Sequence, residues 1–220
     1  MKPRISNHKT VALTLVEVLV VIVVAFVLLV IAILPLAKEK VKTINCYSQL
    51  KAEECAFWLW AGDNNNKFPM ELSTNNGGTR EWLMQGKVSE VFLVMSNELS
   101  TPRILVCPAD SRTWVTNWSQ FDNQHLSYFV GVDACYSTNF SDASMSKFLF
   151  GDRNLTNKTG TDKNNILQLT ANQTAGWTEK LHKSRGNICL ANGVVLKLNN
   201  ANLREAVQAT GLATNRLAIP

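Results

Sequence analysis

From Val11 to Leu36 only Thr14 and Glu17 interrupt an apolar run, and Val18 to Leu34 carries no polar side chain. A helix crossing a bilayer needs about 20 mostly apolar residues, at about 1.5 Å each through a core about 30 Å thick. This run meets that requirement. A cleaved secretory signal has an apolar region of about 7–15 residues ending at a small-residue cut site. Here the run is longer, and a charged, helix-forming stretch follows Pro35. Past the run, Leu36, Val41, Ile44, Tyr47, Leu50, Cys55, Trp58 and Leu59 recur mostly at steps of three and four, which predicts an apolar stripe on a continuing helix. Lys38, Glu39, Lys40, Lys42, Lys51, Glu53 and Glu54 mostly fall on its other faces, and Gly62-Asp63-Asn64 ends the pattern. The expectation is one helix from Leu13 to Ala61, roughly 70 Å long and bent near Pro35.

The remaining chain alternates short apolar runs with turn-forming residues. Arg80 to Met84 and Ser89 to Leu99 read as short helices, and Arg103 to Asp110 as a strand leaving into a turn. Leu126 to Val132 and Phe148 to Asn154 read as strands. Asn187 to Ala191, Asn192-Gly193 and Val194 to Leu198 form a hairpin signal, with Asn-Gly supplying the two positive-φ positions of a type I′ turn. Asn202-Leu203-Arg204-Glu205 resembles a capping box opening a helix that stops near Gly211. The fold class expected is α+β, an antiparallel sheet packed on the upper half of the long helix.

The segment Leu13-Thr14-Leu15-Val16-Glu17-Val18-Leu19-Val20-Val21-Ile22 resembles the start of mature type IV pilins and type II secretion pseudopilins. The resemblance implies a basic leader over residues 1–12, removed by a prepilin peptidase between Ala12 and Leu13. Leu13 would then be N-methylated, and Glu17 would be the family glutamate that pairs with the free amine of a neighbouring subunit. Pro35 falls about where the family helix carries a proline. The family more often has Gly before the cut and Phe after it. The implied architecture is a pilin-like lollipop: residues 13–36 in the membrane, 37–62 as the amphipathic half of the same helix, and 63–220 as the head. Asn64 to Met70, Cys107-Pro108-Ala109-Asp110, and His182 placed ten residues before Asn192-Gly193 resemble pseudopilin-like proteins of Planctomycetes and Verrucomicrobia, with Asn192 where those have Asp. His182 reads either as a ligand or assembly contact, or as an edge residue beside a simple turn, the second being preferred.

Net charge is +5, and Lys2, Arg4 and Lys9 precede the apolar run. Setting those three aside leaves 19 basic against 17 acidic residues, with no basic stripe of the kind a nucleic-acid binder presents. Lysines on both sides of the run leave the charge rule for topology undecided, so the outward placement of the head comes from the resemblance. Five cysteines, Cys46, Cys55, Cys107, Cys135 and Cys189, show no CxxC pair or Cys/His metal spacing, which argues against zinc. In an exported head one or two disulfides are expected, Cys107 with Cys135 being the preferred pair; the alternative is five small buried side chains. Asp152 and Asp162 are the residues that could ligate calcium, and solvated loop carboxylates are the commoner explanation. Nucleophile elbows, P-loops and dinucleotide fingerprints are absent, so an enzyme is not expected.

The function expected is therefore a structural pilin-like subunit of a pseudopilus or pilus. Its partners would be identical or related subunits, the prepilin peptidase and an inner-membrane assembly platform. It would sit in the inner membrane as a single-pass protein with a periplasmic head, or in an extracellular filament. The alternative is a singly anchored periplasmic binding module that does not polymerise.

Overall fold

The structure, a computed structural model, describes residues 14–139 and 143–220, with the backbone alone at 35–40 and 143. The chain divides into two units, Met1–Val41 and Lys42–Pro220. Helix α1 (Leu15–Asp63) begins in the first and ends in the second, continuing across Pro35. Its first part, Leu15–Leu34, is long and apolar enough to cross a membrane, and none of it is buried within the protein.

In the second unit, α1 is followed by three short helices, α2 (Arg80–Met84), α3 (Ser89–Leu93) and α4 (Ser96–Leu99). Among the described residues eight strands follow, with a last helix before the final one: β1 (Tyr128–Gly131), β2 (Phe148–Asp152), β3 (Leu155–Asn157), β4 (Ile166–Leu169), β5 (Ala175–Trp177), β6 (Arg185–Leu190), β7 (Val195–Asn199), α5 (Leu203–Ala209) and β8 (Asn215–Ala218). Six strands form one sheet in the order β4-β8-β1-β2-β6-β7, every pair antiparallel, while β3 and β5 form a separate two-stranded ribbon. The mixed α and β content and the antiparallel sheet agree with the expectation.

β1 and β2 are buried along their whole length because the sheet carries a core on each face. On one face Tyr128, Val130, Phe150 and Cys189 join Leu50, Phe57 and Trp60 of α1. On the other, Phe129, Ile188, Leu167 and Leu217 join Leu203 and Val207 of α5 and Trp177 of β5. Phe57 is central to the first core: it stacks on Phe150 at 5.2 Å and meets Phe68 and Phe92 edge-on at 5.9 Å each. Burying such a ring contributes about 1.5–3 kcal/mol. In the second core Gly186 lies under Trp177, where an added Cβ would come within 2.1 Å of the ring.

Four sequence expectations need correction. The buried face of α1 is Cys46, Leu50, Glu53, Phe57 and Trp60, whereas Val41, Ile44, Cys55 and Leu59 of the expected stripe are exposed. The helix has apolar residues on two faces, and spacing alone did not distinguish which one the head covers. Arg103 to Asp110 is not a strand: Pro102 opens a 3-10 turn at Pro102–Leu105, with the Thr101 hydroxyl accepting from the Arg103 amide. The hairpin loop is not type I′. Gly193 has a φ of +80°, Asn192 is not left-handed, and the Leu190 amide bonds the Val194 carbonyl, so Ala191-Asn192-Gly193 is a three-residue loop with glycine at its left-handed position. The Asn202 side chain does not cap α5 but accepts from the Asn199 amide, 2.7 Å away.

Candidate functional site

Among the described residues, two places bring polar and titratable side chains into arrangements that could carry function. At the start of α1, the Glu17 carboxylate accepts from the Thr14 amide at 2.7 Å and from the Thr14 hydroxyl at 2.8 Å, while that hydroxyl accepts from the Glu17 amide at 3.3 Å. This is a reciprocal capping box, and it satisfies donors that the first turn of a helix leaves open. The Thr-x-x-Glu spacing before an apolar run was its signal in the sequence. A carboxylate can accept about four hydrogen bonds, so the cap leaves capacity for a cation. Ala12 and Leu13 lie outside the described residues.

The second place lies in the core of the second unit. Cys46 from α1, Cys107 from the loop after the 3-10 turn, Asp152 from the end of β2 and His182 between β5 and β6 bring one ligand atom each within 4.8 Å of one another. Cys46 Sγ lies 3.6 Å from Asp152 Oδ1, Cys107 Sγ 3.3 Å from His182 Nε2, and His182 Nε2 3.5 Å from Asp152 Oδ2. Asn187 of β6 holds the carboxylate twice, its amide at 2.7 Å and its side-chain Nδ2 at 2.8 Å from Asp152 Oδ2. Cys46, Cys107 and Asp152 are fully buried, and the His182 side chain is 10% exposed.

The electrostatics are those of acidic groups crowded together in a buried setting. A hydrogen bond from Cys46, opposed by burial and reinforced by His182, holds the Cys107 thiol below its ordinary value, while that same bond and burial push Cys46 up. Burial and the neighbouring Cys107 push Asp152 up to about 7. Two turns along the same face, Glu53 is fully buried without a hydrogen-bond partner, and burial raises its carboxyl well above the usual range.

The motifs that flank the cluster interlock. Asp110, three residues after Cys107, takes two hydrogen bonds from Arg153 at 2.8 Å each and one from the Ser127 hydroxyl at 2.8 Å. Arg153 is the residue after Asp152, so one ion pair fixes the Cys107 loop against the end of β2. The Asn192-Gly193 loop docks on α1, where Lys51 Nζ donates to the Gly193 carbonyl at 2.7 Å. Beside Cys107 opens a pocket of about 590 Å³, also lined by Asn45, Gln49, Arg103, Asp110 and Trp114.

These positions revise several sequence readings. Cys107 and Cys135 are not joined: Cys107 faces His182, and Cys135 Sγ accepts from Lys147 Nζ at 3.2 Å. His182 is not an edge residue but part of the core cluster. Asp152 and Asp162 do not share a carboxylate loop, since Asp152 is in the core and Asp162 caps a turn through the Asn164 and Ile166 amides. The Cys/Asp/His constellation was missed because its members come from four separate segments. Comparison with protein-family models, with curated proteins and with solved structures finds no match to this chain.

Proposed function

We propose that this chain is a pilin-like subunit, of the pseudopilin type, anchored in the inner membrane by Leu15–Leu34 with its head in the periplasm. It assembles through α1, with copies of itself or related subunits, into a pseudopilus or pilus. The observation that supports this reading is the division of α1. An apolar span of 20 residues continues into a segment whose one face, Leu50, Phe57 and Trp60, holds the head, while Ile44, Ala52, Cys55 and Leu59 stay exposed on the opposite face. A filament of packed helices has a use for that exposed face, because burying it in a neighbour gains about 25 cal/mol per Å² of apolar surface.

The pocket beside Cys107, with Arg103 stacked 4.4 Å over Trp114, favours a second reading, a tethered binding module that never polymerises. Mass spectrometry of the protein purified from cells carrying a prepilin peptidase separates the two. An N-methylated Leu13 terminus is the expected result. An intact Met1 terminus, or a cut elsewhere, overturns the filament reading in favour of the tethered module.

A further inference from the structure

The buried cluster around Cys46 has the donor set and the spacing of a structural metal site. Four protein ligands at metal bonds of about 2.0–2.3 Å around a tetrahedral ion stand about 3.3–3.8 Å from one another. The separations Cys46–Asp152, Cys107–His182 and His182–Asp152 are 3.6, 3.3 and 3.5 Å. Each has the length of a tetrahedral edge, the Cys46 separation ending on Asp152 Oδ1 and the His182 separation on Oδ2, and one ligand atom from each of the four residues lies within 4.8 Å of the others.

A Cys-His-Asp relay is the competing reading, and the ring orientation argues against it. In a relay the carboxylate holds Nδ1 and the thiol meets Nε2. Here Cys107 and Asp152 both approach Nε2. They converge on a common centre rather than spanning the ring.

We infer that Cys46, Cys107, Asp152 and His182 bind one tetrahedral transition-metal dication, zinc by preference, which clamps α1, the Cys107 loop, β2 and the His182 segment together. Two sulfur ligands and an imidazole select zinc over calcium or magnesium, which take oxygen donors. Four protein ligands in a closed, buried setting leave no position for substrate, which is the arrangement of a structural site. Asn187 fixes the carboxylate, the role that outer hydrogen-bond partners play at metal centres. The pocket against Cys107 gives the ion a route from solvent. On binding, the two thiols release their protons to water and the metal–sulfur bonds form. This inference is independent of the filament reading, since all four ligands belong to the second unit.

The test uses the full chain in detergent, with zinc supplied as the metal alone, the excess removed by desalting, and bound metal read by elemental analysis. The expected result is one equivalent of zinc per chain, unchanged in Cys55→Ser and Cys135→Ser and reduced to background in Cys46→Ser and His182→Ala. Asn187→Ala is expected to weaken zinc affinity by about 10- to 100-fold. Should the ligand variants fail to fold, cobalt loading of the wild-type chain decides. A thiolate-to-cobalt charge-transfer band with tetrahedral visible bands supports the site, and their absence overturns it. A Cys46–Cys107 disulfide found by non-reducing peptide mapping of the protein from cells, or zinc content equal in wild type and ligand variants, also overturns it.

Discussion

Glu17 is held by Thr14, and that local bond sets up a discriminating substitution. A capping box accepts Gln in place of Glu, whereas pairing with a neighbour's amine needs the negative charge. If the filament reading is right, Glu17→Gln lowers incorporation into sheared filaments as severely as Glu17→Ala, by quantitative immunoblot. Restoration by Gln would leave Glu17 as a cap and nothing more. Asp110 offers a second test, of the head. Burial raises its pKa, but the hydrogen bonds from Arg153 and Ser127 and the Arg153 charge outweigh it and hold the carboxyl below its ordinary value. A carboxyl depressed on folding contributes stability above its unfolded pKa of about 3.9 and loses it as pH falls through the lower folded value. Asp110→Asn should therefore cost about 3 kcal/mol at neutral pH, the scale of breaking a buried pair. The gap to wild type should narrow as pH falls below about 4, in urea titrations of the detergent-solubilised chain. An equal gap at both pH values would remove the ionic contribution.

α1 shows at the element scale what periodicity can and cannot decide. At 3.6 residues per turn, Ile44, Ala52, Cys55 and Leu59 fall within about 80° of one another, and Cys46, Leu50, Glu53 and Phe57 occupy the opposite side. The sequence displayed apolar residues on both faces, and the head takes the one that includes a carboxylate, Glu53, which no hydrophobic count would favour. Local signals did better where one residue controls geometry. The β6–β7 hairpin was legible from Asn192-Gly193, although only Gly193 is left-handed; β4, β8 and the β3–β5 ribbon carry no such marker. Ile44 and Leu59 are 63% and 61% exposed, so Ile44→Asp with Leu59→Asp should leave the unfolding free energy of the head within about 0.5 kcal/mol per site. The same pair should abolish filament incorporation, which immunoblot of the sheared fraction checks. Normal incorporation would exclude this face as the contact.

At the scale of the whole chain, the sequence disclosed the long apolar helix and the mixed fold but not the core cluster. Cys46, Cys107, Asp152 and His182 are brought together by the long-range pairing of β2 with β6, the docking of α1 on the sheet and the Asp110–Arg153 ion pair that holds the Cys107 loop. Burial also sorts the five thiols into reporters and silent groups: Cys46, Cys107 and Cys189 are buried, Cys135 is partly covered, and Cys55 is exposed on the free face of α1. That inequality lets one native side chain report topology and assembly together. In a Cys135→Ser background, a membrane-impermeant maleimide applied to spheroplasts should label Cys55 if the head is periplasmic, and Cys55→Ser should remove the signal. If packing of α1 against neighbours builds the filament, the same thiol should be protected in intact filaments and become reactive when detergent separates the subunits. Labelling only after lysis would place the head on the cytoplasmic side. Equal reactivity in filaments and free subunits would mean that the stripe faces solvent in the polymer, and that the subunits associate through another surface.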